Sequence, residues 1–140
     1  MDEWFKEWFD ADYMRVYAHR DEAEAAEAVA SILRAAPQLA EGRVLNLGCG
    51  NGRHLAHLRQ VNDLAFGVDL SPHLLGMASR SLRGWLLRAD MRHLPLRSAS
   101  LSGICLWFTP FGYFSDVENR RLLARLHDLL APAGTIILDV

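Results

Sequence analysis

The fold is decided by residues 44–52, VLNLGCGNG, where a short and mostly apolar strand pattern runs directly into a glycine-rich turn. Glycine permits the positive φ angles and the close approach of other groups that a tight turn before a ligand needs. A short helical pattern follows, from Arg53 to Gln60. A strand, a glycine turn and a helix in this order predict a ligand-binding loop, with free backbone N–H groups, at the carboxyl end of a parallel strand.

Helix and strand patterns alternate on both sides of this turn. Apolar residues recur at helical spacing in four segments, and short apolar runs separate them. Buried strands alternating with amphipathic helices are typical of a Rossmann-like, doubly wound α/β fold, a parallel sheet with helices on both faces. The predicted helices span residues 21–36, 53–60, 71–82 and 115–130, and the five predicted strands span residues 43–47, 64–68, 85–87, 103–107 and 135–140.

Composition and charge narrow the class of protein. The 140 residues are 51% hydrophobic and 23% charged, which is typical of one globular domain with one core. Fifteen basic against 17 acidic residues give no global positive field for nucleic acid or an anionic membrane. No apolar run approaches 18 residues, and the two cysteines form no CxxC pair. We therefore expect a reduced, cytoplasmic protein without membrane or nucleic-acid partners.

Two nucleotide cofactors are compatible with a glycine turn of this kind. A dinucleotide fingerprint places its third glycine three residues after the second, whereas Gly52 follows Gly50 by two. Asp69 ends the second predicted strand, where a carboxylate accepts both hydroxyls of a ribose. Both cofactors need that carboxylate, so the glycine spacing alone disfavours an NAD-dependent oxidoreductase, which stays a remote alternative.

Four motifs resemble the class I S-adenosylmethionine-dependent methyltransferases in order and spacing. Residues 44–52 resemble their first motif, residues 67–71 (GVDLS) their ribose-binding strand end, and residues 88–96 (RADMRHLPL) the segment that holds adenine. Residues 129–134 (LLAPAG) resemble the family's turn into strand five. The resemblance implies a methyltransferase domain, S-adenosylmethionine as the cofactor and S-adenosylhomocysteine as the product.

The resemblance also implies roles for individual residues. The turn glycines would let the backbone approach the methionine and ribose parts, Asp69 would bind the ribose hydroxyls, and Asp90 would accept a hydrogen bond from the adenine amine. Met91 would pack on the adenine ring. One departure is Asn46, which stands where the family usually carries an acid. The predicted cofactor-binding residues are Tyr17, Arg20, Asn46, Gly48, Cys49, Gly50, Gly52, Asp69, Leu70, Asp90, Met91, Leu106 and Trp107.

Aromatic residues are concentrated in two segments. Eleven of the 13 aromatic side chains lie within residues 4–17 and 107–114. We predict that residues 1–20 form a lid over the pocket of the core, residues 21–140, and meet the second aromatic segment, excluding water and contacting the sulfonium by cation–π interaction. An apolar collar closing the sheet is the alternative. The candidate acceptor contacts are Phe111, Tyr113 and Phe114, and the candidate catalytic residues are His19 and Tyr17.

A metal site is not predicted. His54 and His57 lie one helical turn apart, but no cysteine or acid completes a ligand set. The sequence instead places both histidines on the solvated face of a helix.

The predicted reaction is in-line transfer of the cofactor's methyl group to a small-molecule acceptor. A non-catalytic S-adenosylmethionine-binding module, or a fragment that needs a partner or further C-terminal residues, is the alternative. The family sheet normally has seven strands, whereas five are predicted here. An unpaired outer edge of strand five would favour association into a homodimer or with another partner.

Overall fold

A computed structural model of the chain describes residues 22–107 and 111–139. These residues form a five-stranded sheet in which every strand pair is parallel. The predicted Rossmann-like architecture is therefore confirmed. In chain order the helices and strands are α1 (Glu22–Ala35), β1 (Val44–Leu47), α2 (Arg53–Arg59), β2 (Phe66–Asp69), α3 (Pro72–Gly76), β3 (Leu86–Arg88), β4 (Leu101–Leu106), α4 (Asp116–Leu129) and β5 (Leu130–Leu138), with single 3₁₀ turns at Pro37–Ala40, Arg80–Leu82 and Met91–His93.

The order of the strands places the ligand site. The sheet runs β3-β2-β1-β4-β5, so the chain moves outward from β1 in one direction and then returns to continue on its other side. The reversal lies between β1 and β4, where Asn46 of β1 is level with Cys105. In sheets of this kind ligands bind beyond the carboxyl ends of the strands at such a reversal. The glycine turn after β1 stands at that point.

The core has two layers, one on each face of the sheet. Val44 of β1 packs with residues of α1 and α2, including Val29 and Leu55. Leu45 points to the other face, where it belongs to the cluster that includes Leu126 of α4. Burial of such a side chain contributes about 1.5–3 kcal/mol. Both faces of β1 are thus covered, which explains why its four residues are all buried.

Helix α3 is shorter than the sequence predicts. Ser71 caps it by accepting from the amide of Leu74, and Pro72 occupies the first helical position. The predicted extension to Leu82 is wrong, because α3 ends at Gly76 and a separate 3₁₀ turn covers Arg80–Leu82. A glycine such as Gly76 destabilises a helix by about 1 kcal/mol relative to alanine. The Ser79 hydroxyl also accepts from the Ser81 amide, and this hydrogen bond competes with those of a helix.

Strand β5 begins five residues earlier than predicted. Leu130, which directly follows α4, already pairs with Leu101 of β4. Ala133 then takes a φ of 65°, and the register between the two strands shifts before Thr135. The predicted turn at residues 133 and 134 is therefore an irregularity within a strand rather than the connection into it.

Candidate functional site

The turn after β1 is built on left-handed glycines. Gly48, Gly50 and Gly52 have φ angles of 70°, 55° and 79°, which side chains strongly disfavour. A Cβ atom at Gly52 would collide with the Leu82 side chain. One at Gly50 would meet nothing closer than Leu74 Cδ1 at 3.8 Å, so the backbone is open on that side. The turn therefore presents bare main chain at the reversal of the strand order.

The amides of this turn are used inside the protein. The N–H groups of Gly48 and Cys49 both donate to the carbonyl of Val68, and that of Gly52 donates to Cys49. The Gly50 amide donates to Asp69 Oδ2 at 2.8 Å. The prediction of a turn with free N–H groups is wrong for these four residues. Anionic phosphates are bound through free amides, so the turn suits a ligand without a pyrophosphate.

Asp69 is held rigidly at the end of β2. Its Oδ2 accepts from the Gly50 amide and its Oδ1 accepts from the Ser71 amide, each at 2.8 Å. A carboxylate has about four lone-pair sites, so Asp69 can accept at least one further hydrogen bond beside those from the amides of Gly50, Leu70 and Ser71. The carboxylate is thus oriented by the backbone and keeps capacity to accept from a ligand hydroxyl group. That donor and acceptor chemistry fits a ribose.

Burial is the main influence on the protonation of Asp69. It raises the pKa of this carboxyl, and the amide hydrogen bonds from Ser71 and Gly50 oppose the shift. A ligand that donates two hydroxyl groups to the carboxylate would stabilise its charged form.

Asp90 lies at the start of the 3₁₀ turn that follows β3. Its Oδ1 accepts from the Arg92 amide at 2.9 Å, and its two oxygens form a fork with the Arg92 guanidinium. Burial acts to raise the pKa of Asp90, but the Arg92 hydrogen bonds and charge outweigh it and leave that pKa lowered. The carboxylate predicted to contact adenine is therefore charged and already held by an arginine. Arg92 was not among the predicted site residues, although an arginine two residues after an acid at a turn indicates that the two side chains can pair.

Asn46 of β1 and Cys49 of the turn are both buried. Asn46 is 2% exposed and is level with Gly67 and Cys105 on the neighbouring strands. Cys49 packs over Gly67, where an added Cβ would come within 2.7 Å of Cys49 Sγ. Burial raises the pKa of the Cys49 thiol far above its usual range. This thiol faces the sheet as a small packing group.

Trp107 extends from the carboxyl end of β4 and stacks on His54. The two rings are 5.2 Å apart between centroids and nearly parallel, with 14° between their planes. The predicted solvated position of His54 is therefore wrong; burial lowers the pKa of His54 to about 4. The buried indole Nε1 has no hydrogen-bond acceptor within the described residues. An unpaired buried donor costs about 1–3 kcal/mol, so this position favours an acceptor from a ligand or from residues outside those described.

His57, in contrast, takes part in a surface contact. Its Nε2 lies 3.0 Å from Glu22 Oε2 of α1. Among residues 22–107 and 111–139, no group of three potential metal ligands occurs.

Two aromatic residues predicted to contact the acceptor pack beside the adenine segment. Phe111 and Phe114 join Met91 at the border of the core cluster on the α4 face. The Arg92 guanidinium stands 4.6 Å from the centre of the Phe114 ring. Tyr113 lies between them in the chain and is half-buried. The aromatic loop and the Asp90 turn thus form one packed unit.

Leu70 and Leu106 are two further residues that were predicted to bind the cofactor. Leu70 follows Asp69, and its carbonyl accepts from Arg88. Leu106 is fully buried in the core, so nothing in the structure supports a side-chain contact between this residue and a ligand. The lid and its candidates Tyr17, His19 and Arg20 lie outside the described residues.

Comparison with known proteins agrees with this geometry. A methyltransferase domain family matches residues 44–134, from the start of β1 into β5. The chain belongs to this methyltransferase family. The predicted family is thereby confirmed, and with it S-adenosylmethionine as the cofactor.

Several relatives of the methyltransferase domain act on sugars. A dTDP-3-amino-3,6-dideoxy-alpha-D-glucopyranose N,N-dimethyltransferase of Streptomyces fradiae is 29% identical over 118 residues, which cover 83% of this chain and 45% of that protein. The sugar N-methyltransferase KedS8 of Streptoalloteichus is 29% identical with a TM-score of 0.71, covering 89% of this chain and 51% of that one. The S-adenosylmethionine-bound amino pentose methyltransferase CalS10 of Micromonospora echinaspora is 29% identical with a TM-score of 0.70, covering 89% and 53%.

The methyltransferase chain spans about half the length of these relatives. None of the helices in the described part is long and apolar enough to cross a membrane.

Proposed function

We propose that this methyltransferase domain transfers the methyl group of S-adenosylmethionine to a small-molecule acceptor. The observation that carries the proposal is Asp69, whose two oxygens are oriented by backbone amides at the carboxyl end of β2, beside the glycine turn, as a ribose acceptor needs. The adjoining glycine turn uses its amides internally, which favours a cofactor without a pyrophosphate over a dinucleotide. An NAD-dependent oxidoreductase is disfavoured for the same reason.

The cofactor occupies the crevice with its parts in a fixed order. Asp69 accepts from the ribose hydroxyls, and the turn at Gly50 lies against the ribose and methionine parts. Asp90, whose two oxygens already accept from Arg92, is the acceptor for the adenine amine, and Met91 packs on the ring. Trp107 lies on the methionine side. Asn46 supplies a neutral amide where the family usually has an acid.

The chemistry of the site rests on alignment. S-adenosylmethionine supplies a methyl group already activated by its sulfonium, so holding the acceptor in line with that bond provides most of the acceleration. The loop carrying Phe111, Tyr113 and Phe114 bounds the acceptor side and excludes water. A protonated acceptor also needs a base, for which His19 and Tyr17 are the candidates.

The relatives favour an amine on a sugar as the acceptor class. The Streptomyces protein is named for N,N-dimethylation of an amino sugar linked to dTDP, and two similar structures are amino-sugar or sugar N-methyltransferases. We therefore propose a neutral amine on a small polar molecule as the nucleophile. The cytoplasmic location and the absence of a nucleic-acid partner stay predictions.

Turnover is the test of this function. The chain is incubated with S-adenosylmethionine and a panel of amino-sugar nucleotides and simple amino sugars, and release of S-adenosylhomocysteine is measured. Acceptor-dependent release, with a mass increase of one or two methyl groups on the acceptor, is the expected result. Cofactor binding without release for any acceptor would favour the alternative of a non-catalytic binding module. The control with weakened cofactor binding is Asp69→Ala, which should release S-adenosylhomocysteine more slowly at a limiting cofactor concentration.

A further inference from the structure

One arginine links the adenine turn to the aromatic loop. The Arg92 guanidinium donates from Nη2 to Asp90 Oδ2 at 2.7 Å and from Nη1 to Glu118 Oε1 at 3.3 Å. The Arg92 Cζ atom also lies over the Phe114 ring, 4.6 Å from its centre. The Arg92 and Asp90 side chains are each 19% exposed and that of Glu118 is 28% exposed, so water screens these contacts only partly. Two segments distant in sequence, residues 90–92 and residues 114–118, meet at this side chain.

The shape of the guanidinium makes these contacts interdependent. It is a rigid plane with donors on its edges and an apolar face, so one orientation serves the two carboxylates and the ring together. Lysine, a point charge on a flexible stem, cannot hold the same three groups at once. Any movement of the Asp90 carboxylate that turns this plane therefore also moves the surroundings of Phe114.

Glu118 fixes the far side of the same contact. It completes the capping box of α4, because its Oε2 accepts from the amide and hydroxyl of Ser115 while Oε1 faces Arg92. Ser115 directly follows Phe114 in the chain. The end of the aromatic loop is thus anchored both by the helix start and by Arg92.

We propose that Arg92 is a positioning residue that couples the occupancy of the adenine site to the arrangement of the acceptor loop. This inference rests on the proposed function, since it takes Asp90 as the adenine contact. When the adenine amine bonds to Asp90, Arg92 holds the carboxylate in place and transmits its position to Phe114. Cofactor binding thereby orders the loop that receives the acceptor.

Hydrogen exchange of the full chain tests the coupling with S-adenosylhomocysteine as the probe. In the wild-type protein the ligand should slow exchange both in residues 89–94 and in residues 111–118. In Arg92→Met the ligand should bind several-fold more weakly and, at saturation, slow exchange in residues 89–94 only. Arg92→Lys should restore affinity in part without restoring protection of the loop.

Arg125→Met is the matched control. Arg125 also ties α4 to the segment after β3, but it donates to the carbonyls of Leu94 and Leu96 and pairs with Asp128. This variant should keep ligand-induced protection of both segments.

The outcomes separate the coupling from the function. Equal protection of residues 111–118 in wild type and in Arg92→Met, or no protection of them in wild type, would overturn the coupling while leaving cofactor binding intact. A wild-type protein that binds no S-adenosylhomocysteine would overturn the proposed function and the coupling with it.

Discussion

Gly67 shows how a single residue shapes the site. It lies in β2 beside Asn46, and the Cys49 side chain of the turn fills the space above it. An alanine Cβ would come within 2.7 Å of Cys49 Sγ and 3.0 Å of Leu55 Cδ2. The glycine is therefore required by the close approach of the turn to the sheet, and its φ angle plays no part.

Replacing Gly67 should strain this contact. We expect Gly67→Ala to lower the free energy of unfolding by about 1–3 kcal/mol, because overpacking displaces the turn. Gly76→Ala is the control, since nothing lies within 4 Å of its added Cβ and alanine favours the helix. Denaturant unfolding measures both variants. If the Gly67→Ala and Gly76→Ala variants are equally stable, the close packing of the turn against Gly67 does not contribute to stability.

His54 should make stability depend on pH. Burial and the charge of Arg53 lower the pKa of His54 to about 4, while the carboxylates of Glu24 and Asp139 oppose the shift. The unfolded chain takes up this proton near pH 6.5, so the folded state keeps its full stability above that pH. That contribution is lost as the pH falls from about 6.5 towards 4.

The expected result is a smaller loss of stability on acidification when His54 is removed. Between pH 7 and pH 5 the free energy of unfolding should fall less in His54→Gln than in the wild type, as measured by denaturant unfolding at both pH values. His73→Gln, at an exposed position, should behave like the wild type. A wild-type slope retained in His54→Gln would assign the pH dependence to other groups.

Sequence alone predicted the residues of the candidate site that belong to local motifs. Asp69 was predictable because it ends the strand that follows the glycine turn, and Asp90 because its segment resembles the adenine motif of the family. The partners of those residues were not: Arg92 contacts Glu118, 26 positions away, and His54 stacks on Trp107, 53 positions away. Such contacts depend on which loops the completed sheet brings together.

Among the elements, α4 has the strongest local signal. Ser115 and Glu118 form both hydrogen bonds of a capping box. These bonds lower the pKa of Glu118, which keeps the box intact at neutral pH. The helix start also anchors the end of the aromatic loop, so its stability bears directly on the site.

Removing the cap should destabilise the protein. We expect Ser115→Ala to lower the free energy of unfolding by about 1 kcal/mol, because the Glu118 amide loses its side-chain acceptor. Ser115→Thr should keep most of the stability, and Ser31→Ala, on the exposed surface of α1, should not lower it. Thermal unfolding compares the three variants. A stable Ser115→Ala would mean that packing alone holds α4.

Weaker local signals gave less accurate boundaries. Helix α3 has one good cap at Ser71 but contains Gly76, and the structure ends it there. Strand β5 begins at Leu130 because pairing with β4 overrides the turn character of Ala133 and Gly134. Where the local pattern is weak, tertiary pairing determines where an element ends.

The outer strand β5 is relevant to the association of this chain with other chains. Within the described residues β5 pairs with β4 and with no other strand. A long strand with an unpaired edge favours contacts with another chain. We therefore expect concentration-dependent dimers in sedimentation experiments, and a sharp monomer at all concentrations would contradict this. The predicted homodimer is untested until then.

The arrangement of the strands underlies the proposed cofactor site at the reversal between β1 and β4. Alternating patterns in the sequence were sufficient to predict a parallel sheet with helices on both faces, because connections of this kind leave few arrangements open. Cofactor binding at the proposed site should depend on Asp69.

The most direct measurement is calorimetric titration of the 140-residue chain with S-adenosylmethionine and S-adenosylhomocysteine. We predict binding at about micromolar affinity. Asp69→Ala should weaken it by about 10–100-fold, since hydrogen bonds to a charged group contribute about 1.5–3 kcal/mol. Asp63→Ala, at an exposed position, should bind like the wild type. A folded protein that binds neither ligand, or an Asp69→Ala variant that binds as tightly as the wild type, would contradict the account.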